Sequence, residues 1–552
     1  MNPFAHKIMS QKYLWTEAGE TEWEHIAYRV TKNVLGSLGI KKNSSTFKAT
    51  YEMIKAKKFM PGGRYLYASG RPLHQVQNCA LLRAEDSREG WAEHVNKNSL
   101  ALMTGAGVGN VYSDVRPRGA KIRRTGGEAT GPLALMQITN ELGRGIMQGA
   151  SRRSALWAGL HWNHKDVMEF IRLKDWSPEV RAMKEKDYNF PATLDGTNIS
   201  VILDTSFFKA YKDEKHPMHV HAHSVYWSVV RQMLKTAEPG FTVDCGENEG
   251  ENLRNACTEV TSKDDSDICN LGSINMAQID SLEDMTQVTQ LSTLFLLAGT
   301  VYSDVPYPKI DQIRTKNRRL GLGLMGLHEF LLKNSKSYGP DPDLQEYMKI
   351  YACSTGFAKE WANQYELSPP VKTRAIAPTG TIGIVAETTT GCEPIFCVAF
   401  KRRYLKGNSV HYQYVVDPTA KKLIDSGKID AEKIEDAYSI GPQRRVEFQA
   451  WLQQFVDHSI SSTINIPHWG SQANNESTVN TFGEMLMQHL PNLRGITCYP
   501  DGARGGQPLS PVQYKTAIKH VGEDFVEGEE QKTVFESADI CDITGKGGSC
   551  GA

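Results

Sequence analysis

The stretch Asn255-Ala256-Cys257-Thr258-Glu259, with Cys269-Asn270-Leu271 shortly behind it, decides how this chain is read. In an extended segment successive side chains change face, so the carboxamide, the thiol and the carboxylate would point the same way. Such a row suits chemistry that needs a one-electron sulfur, a base and a hydrogen-bond donor on one small substrate. Cys269 reads as a redox partner of that sulfur. A third thiol, Cys79 in Gln77-Asn78-Cys79, lies far upstream, and Cys541 and Cys550 sit in a glycine-rich tail. Packing alone does not account for that distribution.

At 552 residues the chain exceeds the size at which single cores stop growing, which leaves one large barrel or several domains. Lys+Arg and Asp+Glu are equal at 63 each, so nothing global points to a nucleic-acid partner. The opening Met-Asn-Pro-Phe-Ala-His-Lys lacks the apolar core of a signal peptide. Apolar runs such as Leu294-Phe-Leu-Leu-Ala298 are too short to span a bilayer, so no membrane is expected. Ten cysteines in a chain of this length are no secreted disulfide scaffold, and a cytoplasmic location is expected.

Helical and extended patterns alternate throughout, which predicts an α/β fold. Helices are expected at 131–146, where Pro132 sits at an early position, and at 225–234, 285–298 and 479–490. Short strands are expected at 79–82, 109–112, 198–203, 374–377 and 495–498. No internal repeat appears, and the tail Thr544-Gly-Lys-Gly-Gly-Ser-Cys-Gly-Ala552 reads as flexible.

Several clusters carry competing readings. Gly105-Ala-Gly107-Val-Gly109 has GxGxG spacing, not the GxGxxG of a dinucleotide fingerprint, and the Rossmann reading is rejected. A tight backbone approach at a strand edge and a substrate-site role both remain open for it. Ala377-Pro378-Thr379-Gly380-Thr381-Ile382-Gly383 suits a phosphate if a helix follows, but taken alone it favours an ordinary Pro-Thr-Gly turn. His216, His219, His221 and His223 would converge on a metal if they alternated along a strand. The lysines and Pro217 around them favour a solvated hairpin, and no metal is expected. Cys392, Cys397, Cys245 and Cys353 read as buried core thiols.

Taken in order, the blocks resemble the catalytic chain of a ribonucleotide reductase, most closely the class II, adenosylcobalamin-dependent kind. They are Gln77-Asn-Cys79, Gly105 to Asn110, Arg116-Pro-Arg-Gly119, Gly126-Gly-Glu-Ala-Thr-Gly-Pro132, Arg152-Arg-Ser-Ala155 and Asn198-Ile-Ser-Val201. Asn255 to Glu259, Cys269-Asn270-Leu271, Arg318-Arg-Leu-Gly-Leu-Gly323 and Ala377-Pro-Thr-Gly-Thr-Ile382 follow. Glu393-Pro394, Ser459-Ile-Ser-Ser-Thr-Ile-Asn465 and Asp501-Gly-Ala-Arg504 complete the set. The resemblance implies a ten-stranded α/β barrel of the ribonucleotide reductase and glycyl-radical-enzyme type, made of two antiparallel-packed halves. It also implies a helical N-terminal region over 1–60 without a full ATP cone, a catalytic barrel over 61–530 and a flexible redox tail over 531–552.

The roles follow from the same resemblance. Cys257, on a finger loop inside the barrel, becomes a thiyl radical and removes the 3′ hydrogen of the ribose. Glu259 takes the 3′-hydroxyl proton, and Asn255 holds that hydroxyl or the 2′ oxygen. Cys79 and Cys269 supply the reducing equivalents and end as a disulfide. Cys541 and Cys550 shuttle electrons from a thioredoxin- or glutaredoxin-like reductant, although their spacing is wider than the family's short pairs. Pro378, Thr379, Gly380, Thr381 and Ile382 hold the substrate phosphates.

The region 495–502 holds Tyr499 without the tyrosine pair of class I chains, and no glycyl-radical motif stands near the C-terminus. By elimination the radical is expected from adenosylcobalamin. The loops over 116–127 and 174–197 resemble those that relay nucleoside triphosphate effectors. A homodimer and ribonucleoside diphosphate substrates are expected, with triphosphates still open. Two alternatives stand beside this: a class I catalytic chain needing a separate radical-generating subunit, and a non-catalytic nucleotide-binding homologue.

Overall fold

Short apolar runs flanked by turn residues become strands, and the amphipathic stretches between them become helices. The computed structural model describes residues 1–525 apart from 149–151, 188–189, 247–248, 407–408, 428, 504–508 and 523. Cys541 and Cys550 lie outside the described residues. Three helices come first, α1 (Pro3–Lys12), α2 (Trp23–Gly36) and α3 (Ser45–Lys55), of which the first and third are capped by the side chains of Asn2 and Ser44. The short strand β1 (Phe59–Pro61) follows.

Five strands then lie parallel in chain order: β2 (Cys79–Arg83), β3 (Gly107–Val111), β4 (Leu156–His161), β5 (Thr197–Asp204) and β6 (Gly240–Asp244). A hairpin of β7 (Leu253–Arg254) and β8 (Thr261–Ser262) comes next. The second group holds β9 (Asp267–Asn275) parallel to β10 (Leu320–Met325), and β11 (Thr463–Ile466) parallel to β12 (Gly495–Pro500). The two groups meet antiparallel at both seams, with Cys269 of β9 opposite Cys79 of β2 and Gly495 of β12 opposite Thr242 of β6.

The regular ladder leaves β10 and β11 unpaired with each other. Residues 373–376 link them through two parallel bridges, Arg374 with Leu322 and Ile376 with Ile460. The Ala375 N–H donates to Leu322 O at 3.1 Å and the Ser461 N–H to Ile376 O at 2.9 Å. The strand expected at 374–377 is therefore a link and not a regular strand. Its Thr373 and Arg374 N–H groups are turned to the Asp457 carboxylate at 3.0 and 2.7 Å, which withdraws them from any ladder. With that link counted, ten positions ring one interior in the expected α/β barrel.

Inward-facing Cys79, Leu81, Trp157, Cys269 and Ala377 share one buried cluster with Leu253 and Val260 of the β7–β8 hairpin, so that hairpin is a finger inside the barrel. Glycine makes the room. A Cβ on Gly109 would stand 1.8 Å from the Arg254 carbonyl oxygen, and one on Gly107 would stand 3.2 Å from the Ala256 Cβ. The glycine cluster thus serves a backbone approach, on a strand paired on both sides and not at a sheet edge.

Helices cover the outside. Helix α4 (His219–Thr236) backs one flank, and α5 (Leu282–Tyr302), apolar on nearly all sides, is buried against β9 and the N-terminal helices. The histidine segment opens α4 and is not a hairpin. His219 Nδ1, His221 Nε2 and His223 Nε2 each lie 3.0 Å from a backbone carbonyl, of Ala210, Trp162 and Tyr211 in turn. His223 also stacks on Tyr211. Among the described residues no group of three or more His, Cys, Asp or Glu is placed to hold a metal. Cys392 and Cys397 are buried, but Cys353 is exposed and Cys245 partly so. Both follow the last residue of an element, Cys353 at the junction of two helices and Cys245 just beyond β6. No described helix is long and apolar enough to cross a membrane.

Gly109→Ala is expected to lower stability by about 3 kcal/mol, because neither backbone can yield. Gly36→Ala, which meets nothing within 4 Å, should cost nothing. Urea unfolding of both variants checks this, and equal losses would refute the close approach as the cause.

Candidate functional site

The finger tip is a turn. The Thr258 N–H donates to Asn255 O at 3.0 Å and Thr258 takes φ +68°, so the extended row expected of Asn255, Cys257 and Glu259 does not form. The turn gathers the same residues differently. Asn255 Oδ1 accepts the Val260 N–H at 3.0 Å, and the Asn255 side chain opposes the upward push of burial on both Glu259 and Cys79. Cys79 Sγ lies 4.0 Å from Glu259 Oε1, whose other oxygen has no protein partner.

Cys79 and Cys269 face each other across the β2–β9 seam. Directly opposed residues of antiparallel strands have Cα atoms about 4.5–5.5 Å apart, within the range that a disulfide spans. Cys257 sits at the tip, less buried than the other four, and borders a cleft lined by Thr258, Trp157, Asn198, Ser200 and Tyr499. The finger thus sets the two opposed thiols on one flank and an aromatic and hydroxyl-lined cleft on the other.

Burial dominates the electrostatics. It raises Cys79 well above the ordinary thiol range, helped by Glu259 and the sulfurs of Cys269 and Cys257. Cys269 is raised by burial and by Asp267, against the opposing pull of Arg319. Both groups therefore stay protonated thiols at neutral pH. Burial lifts Glu259 to about 7, with its own backbone N–H and the Asn255 amide resisting. A carboxyl group poised there exchanges a proton readily near neutrality.

The predicted phosphate segment adjoins this group. Ala377 packs in the interior cluster with Cys79 and Cys269, and helix α6 (Gly380–Ala386) starts just beyond it. Thr379 takes the left-handed conformation at φ +54°, and its hydroxyl accepts the Gly391 N–H at 2.7 Å, which pins the turn. The N–H groups of Gly380, Thr381 and Ile382 open the helix and have no intrahelical acceptor. The buried Thr381 hydroxyl has no protein partner. An anion at this point would meet several donors.

Sequence reasoning missed Tyr499 and Trp157 as neighbours of Cys257, and it missed Glu251, Lys372 and His458 beneath the finger. No local signal marks them. Tyr499 entered only as a lone tyrosine in 495–502, and Arg319 stood in the block Arg318-Arg-Leu-Gly.

A family model described as "Ribonucleotide reductase, barrel domain" matches residues 77–230, 215–357 and 371–490. The chain is 26% identical over 525 residues to a vitamin B12-dependent ribonucleoside-diphosphate reductase of Thermoplasma acidophilum, covering 83% of this chain and 66% of that one. A Mycobacterium tuberculosis protein of the same name is 24% identical over 86% of this chain and 75% of its own length. A putative adenosylcobalamin-dependent ribonucleoside-triphosphate reductase of Mycobacterium phage D29 is 29% identical over 81% of this chain and 74% of its own length. The chain thus spans 66% to 75% of the length of these relatives. Among solved structures, the class Id ribonucleotide reductase alpha subunit of Actinobacillus ureae superposes with a TM-score of 0.70 at 16% identity, over 90% of this chain and 97% of that one.

Because Glu259 is protonated more readily in the fold than in the open chain, folding takes up a proton between about pH 4.5 and 7. Stability contributed by this group is present below 4.5 and lost as pH rises through 7, by about 3 kcal/mol in all. Glu259→Gln is expected to match the parent near pH 4.5 and to exceed its stability by up to that amount at pH 8. Urea unfolding at the two pH values tests it.

Proposed function

We propose that this chain, which belongs to the ribonucleotide reductase barrel family, removes the 2′-hydroxyl of ribonucleotides by thiyl-radical chemistry seated on Cys257. The observation that carries the reading is the set of Cys79, Cys269, Asn255 and Glu259 gathered around the tip that bears Cys257. The Cys257 sulfur radical takes the 3′ hydrogen, and the Glu259 carboxylate takes the 3′-hydroxyl proton while Asn255 holds the ribose oxygens. The 2′-hydroxyl leaves as water with a proton from one thiol of the Cys79–Cys269 pair, C2′ takes the hydrogen of the other as the two sulfurs give two electrons and close as a disulfide, and Glu259 returns its proton to the 3′ oxygen. The hydrogen held by Cys257 then returns to C3′. Thiols kept protonated by burial suit that proton donation, and a carboxyl group near 7 suits the base. Pro378, Thr379, Gly380, Thr381 and Ile382 form the turn that holds the phosphates, with the Gly380, Thr381 and Ile382 N–H groups and the Thr381 hydroxyl as donors.

Relatives named as vitamin B12-dependent motivate adenosylcobalamin as the radical source, which supplies the one-electron oxidation of Cys257 when bound. The cleft beside Cys257 is lined by Trp157, Tyr499, Asn198, Ser200 and Thr258, an aromatic and polar set of the chemistry that would hold the nucleoside part of that cofactor. We further propose ribonucleoside diphosphates as substrates, nucleoside triphosphates as effectors, a homodimer, and re-reduction by a thioredoxin- or glutaredoxin-like protein through Cys541 and Cys550.

Purified chain incubated with adenosylcobalamin, a dithiol and either CDP or CTP, without any metal-bearing subunit, is expected to yield deoxynucleotide, faster from CDP. No product from either would refute the reading. Turnover should rise with pH through about 7 as Glu259 loses its proton. Glu259→Gln should lower it at least about 100-fold without loss of fold, and Cys257→Ser should abolish it.

A further inference from the structure

The finger cannot hold its own register. Its two strands pair only Leu253 with Ser262 and Arg254 with Thr261. A hairpin that short is not stable by itself. What grips it lies at the barrel mouth away from the tip, where successive positions of the second strand group each present one polar side chain to its base. Asp267, on β9, accepts the Ser262 hydroxyl at 2.7 Å and the Arg319 Nε–H at 2.6 Å. Arg319, just before β10, donates from Nη2 to Glu251 Oε1 at 3.1 Å. Lys372, leading into the linking segment, pairs with Glu251 and donates to the Thr261 hydroxyl at 3.2 Å. His458, in the run leading to β11, accepts the Thr261 N–H on Nδ1 at 3.1 Å. Glu251 and Thr261 close the hairpin's own base, hydroxyl to carboxylate, at 2.8 Å.

Arg319, Asp267 and His458 are almost wholly buried. Buried ion pairs give back little more than their desolvation cost, so their return is a fixed geometry and not net stability. Burial and the neighbouring Lys372 and Arg319 keep His458 well below the ordinary imidazole range, so Nδ1 stays an acceptor for Thr261. Burial works to raise Glu251, but Arg319 and Lys372 outweigh it and hold it at about 2, a charged anchor at any physiological pH.

We infer that Glu251, with Thr261, Lys372 and His458, is a positioning residue that fixes the height of Cys257 in the barrel without touching the nucleotide. The inference rests on Cys257 being the reacting sulfur. A displacement of about 1 Å of a reacting atom can cost about 100-fold in rate while leaving substrate binding alone.

The test uses the full chain and two readouts. One is the rate at which iodoacetamide alkylates Cys257, followed by peptide mass spectrometry with exposed Cys353 as the internal standard. The other is deoxynucleotide formation with adenosylcobalamin and a dithiol. Glu251→Gln is expected to raise Cys257 alkylation about fivefold or more, leave Cys353 unchanged, and lower kcat by about 10- to 100-fold with KM within twofold. Thr261→Val removes one hydroxyl at constant shape and should do the same more mildly, with Thr261→Ser restoring both readouts. It decides the matter alone if Glu251→Gln fails to fold. Parental alkylation rates in Thr261→Val overturn the proposal, and so does a kcat loss matched by a rise in KM. If the parent makes no deoxynucleotide, the reading of its function fails, and alkylation still decides whether the clamp sets the position of Cys257.

Discussion

The contact on which the site depends is backbone against backbone. The Arg254 carbonyl lies so close to Gly109 that no other residue fits at 109, while two residues back along β3 a Cβ on Gly107 would stand 3.2 Å from the small Ala256 side chain. A barrel of ten strand positions would ordinarily fill its centre with side chains. Here small residues on β3 let a whole loop occupy that centre. The finger then delivers Asn255, Cys257 and Glu259 into an interior already lined by Cys79 and Cys269. Without that approach the five residues would have no common place.

Burial then assigns each group its chemistry. The same desolvation that keeps Cys79 and Cys269 as thiols lifts Glu259 toward neutrality, because each charged form would lose water without a full counter-charge. Asn255, held by the Val260 N–H, opposes the upward push on both the carboxyl group and the Cys79 thiol and so limits how far they shift. A single environment produces both a proton acceptor and a protected dithiol. Neither needs a charged residue of its own.

Much of this was legible in the chain, though not always for the right reason. Asn255, Cys257, Glu259, Cys79 and Cys269 were identifiable by type and order, yet the extended row offered as their common face is a turn with Thr258 in the left-handed region. The strands at 79–83 and 197–204 and the helix around 285 were readable as apolar runs of strand and helix length, and the helix around 479 by its apolar period. The segment at 374–377 misled, since its β-like composition says nothing of Asp457, whose carboxylate takes its N–H groups. The histidines at 216–223 misled for the opposite reason: lysines and a proline precede the helix, and the ring nitrogens find carbonyls far along the chain. Glu251, Lys372 and His458 were not readable at all. Charged residues are normally solvated, and only the closing of the barrel brings these together.

Strand β9 ties the two ends of the barrel interior together. Asp267 holds the finger through Ser262, and Cys269, two residues further on the same face, is one of the opposed thiols. Two residues of strand span about 6.8 Å, a length that a paired strand cannot easily change. Paired on one side with β2 and on the other with β10, β9 acts as a ruler between the anchored base of the finger and the dithiol near its tip. Arg319 is felt at both marks, as the ion partner of Asp267 and as an opposing pull on the raised Cys269 thiol. The charge that grips the finger therefore stands within electrostatic reach of a group that must stay neutral. Asp267 balances it there, which is why an acid and a base enter this interior together.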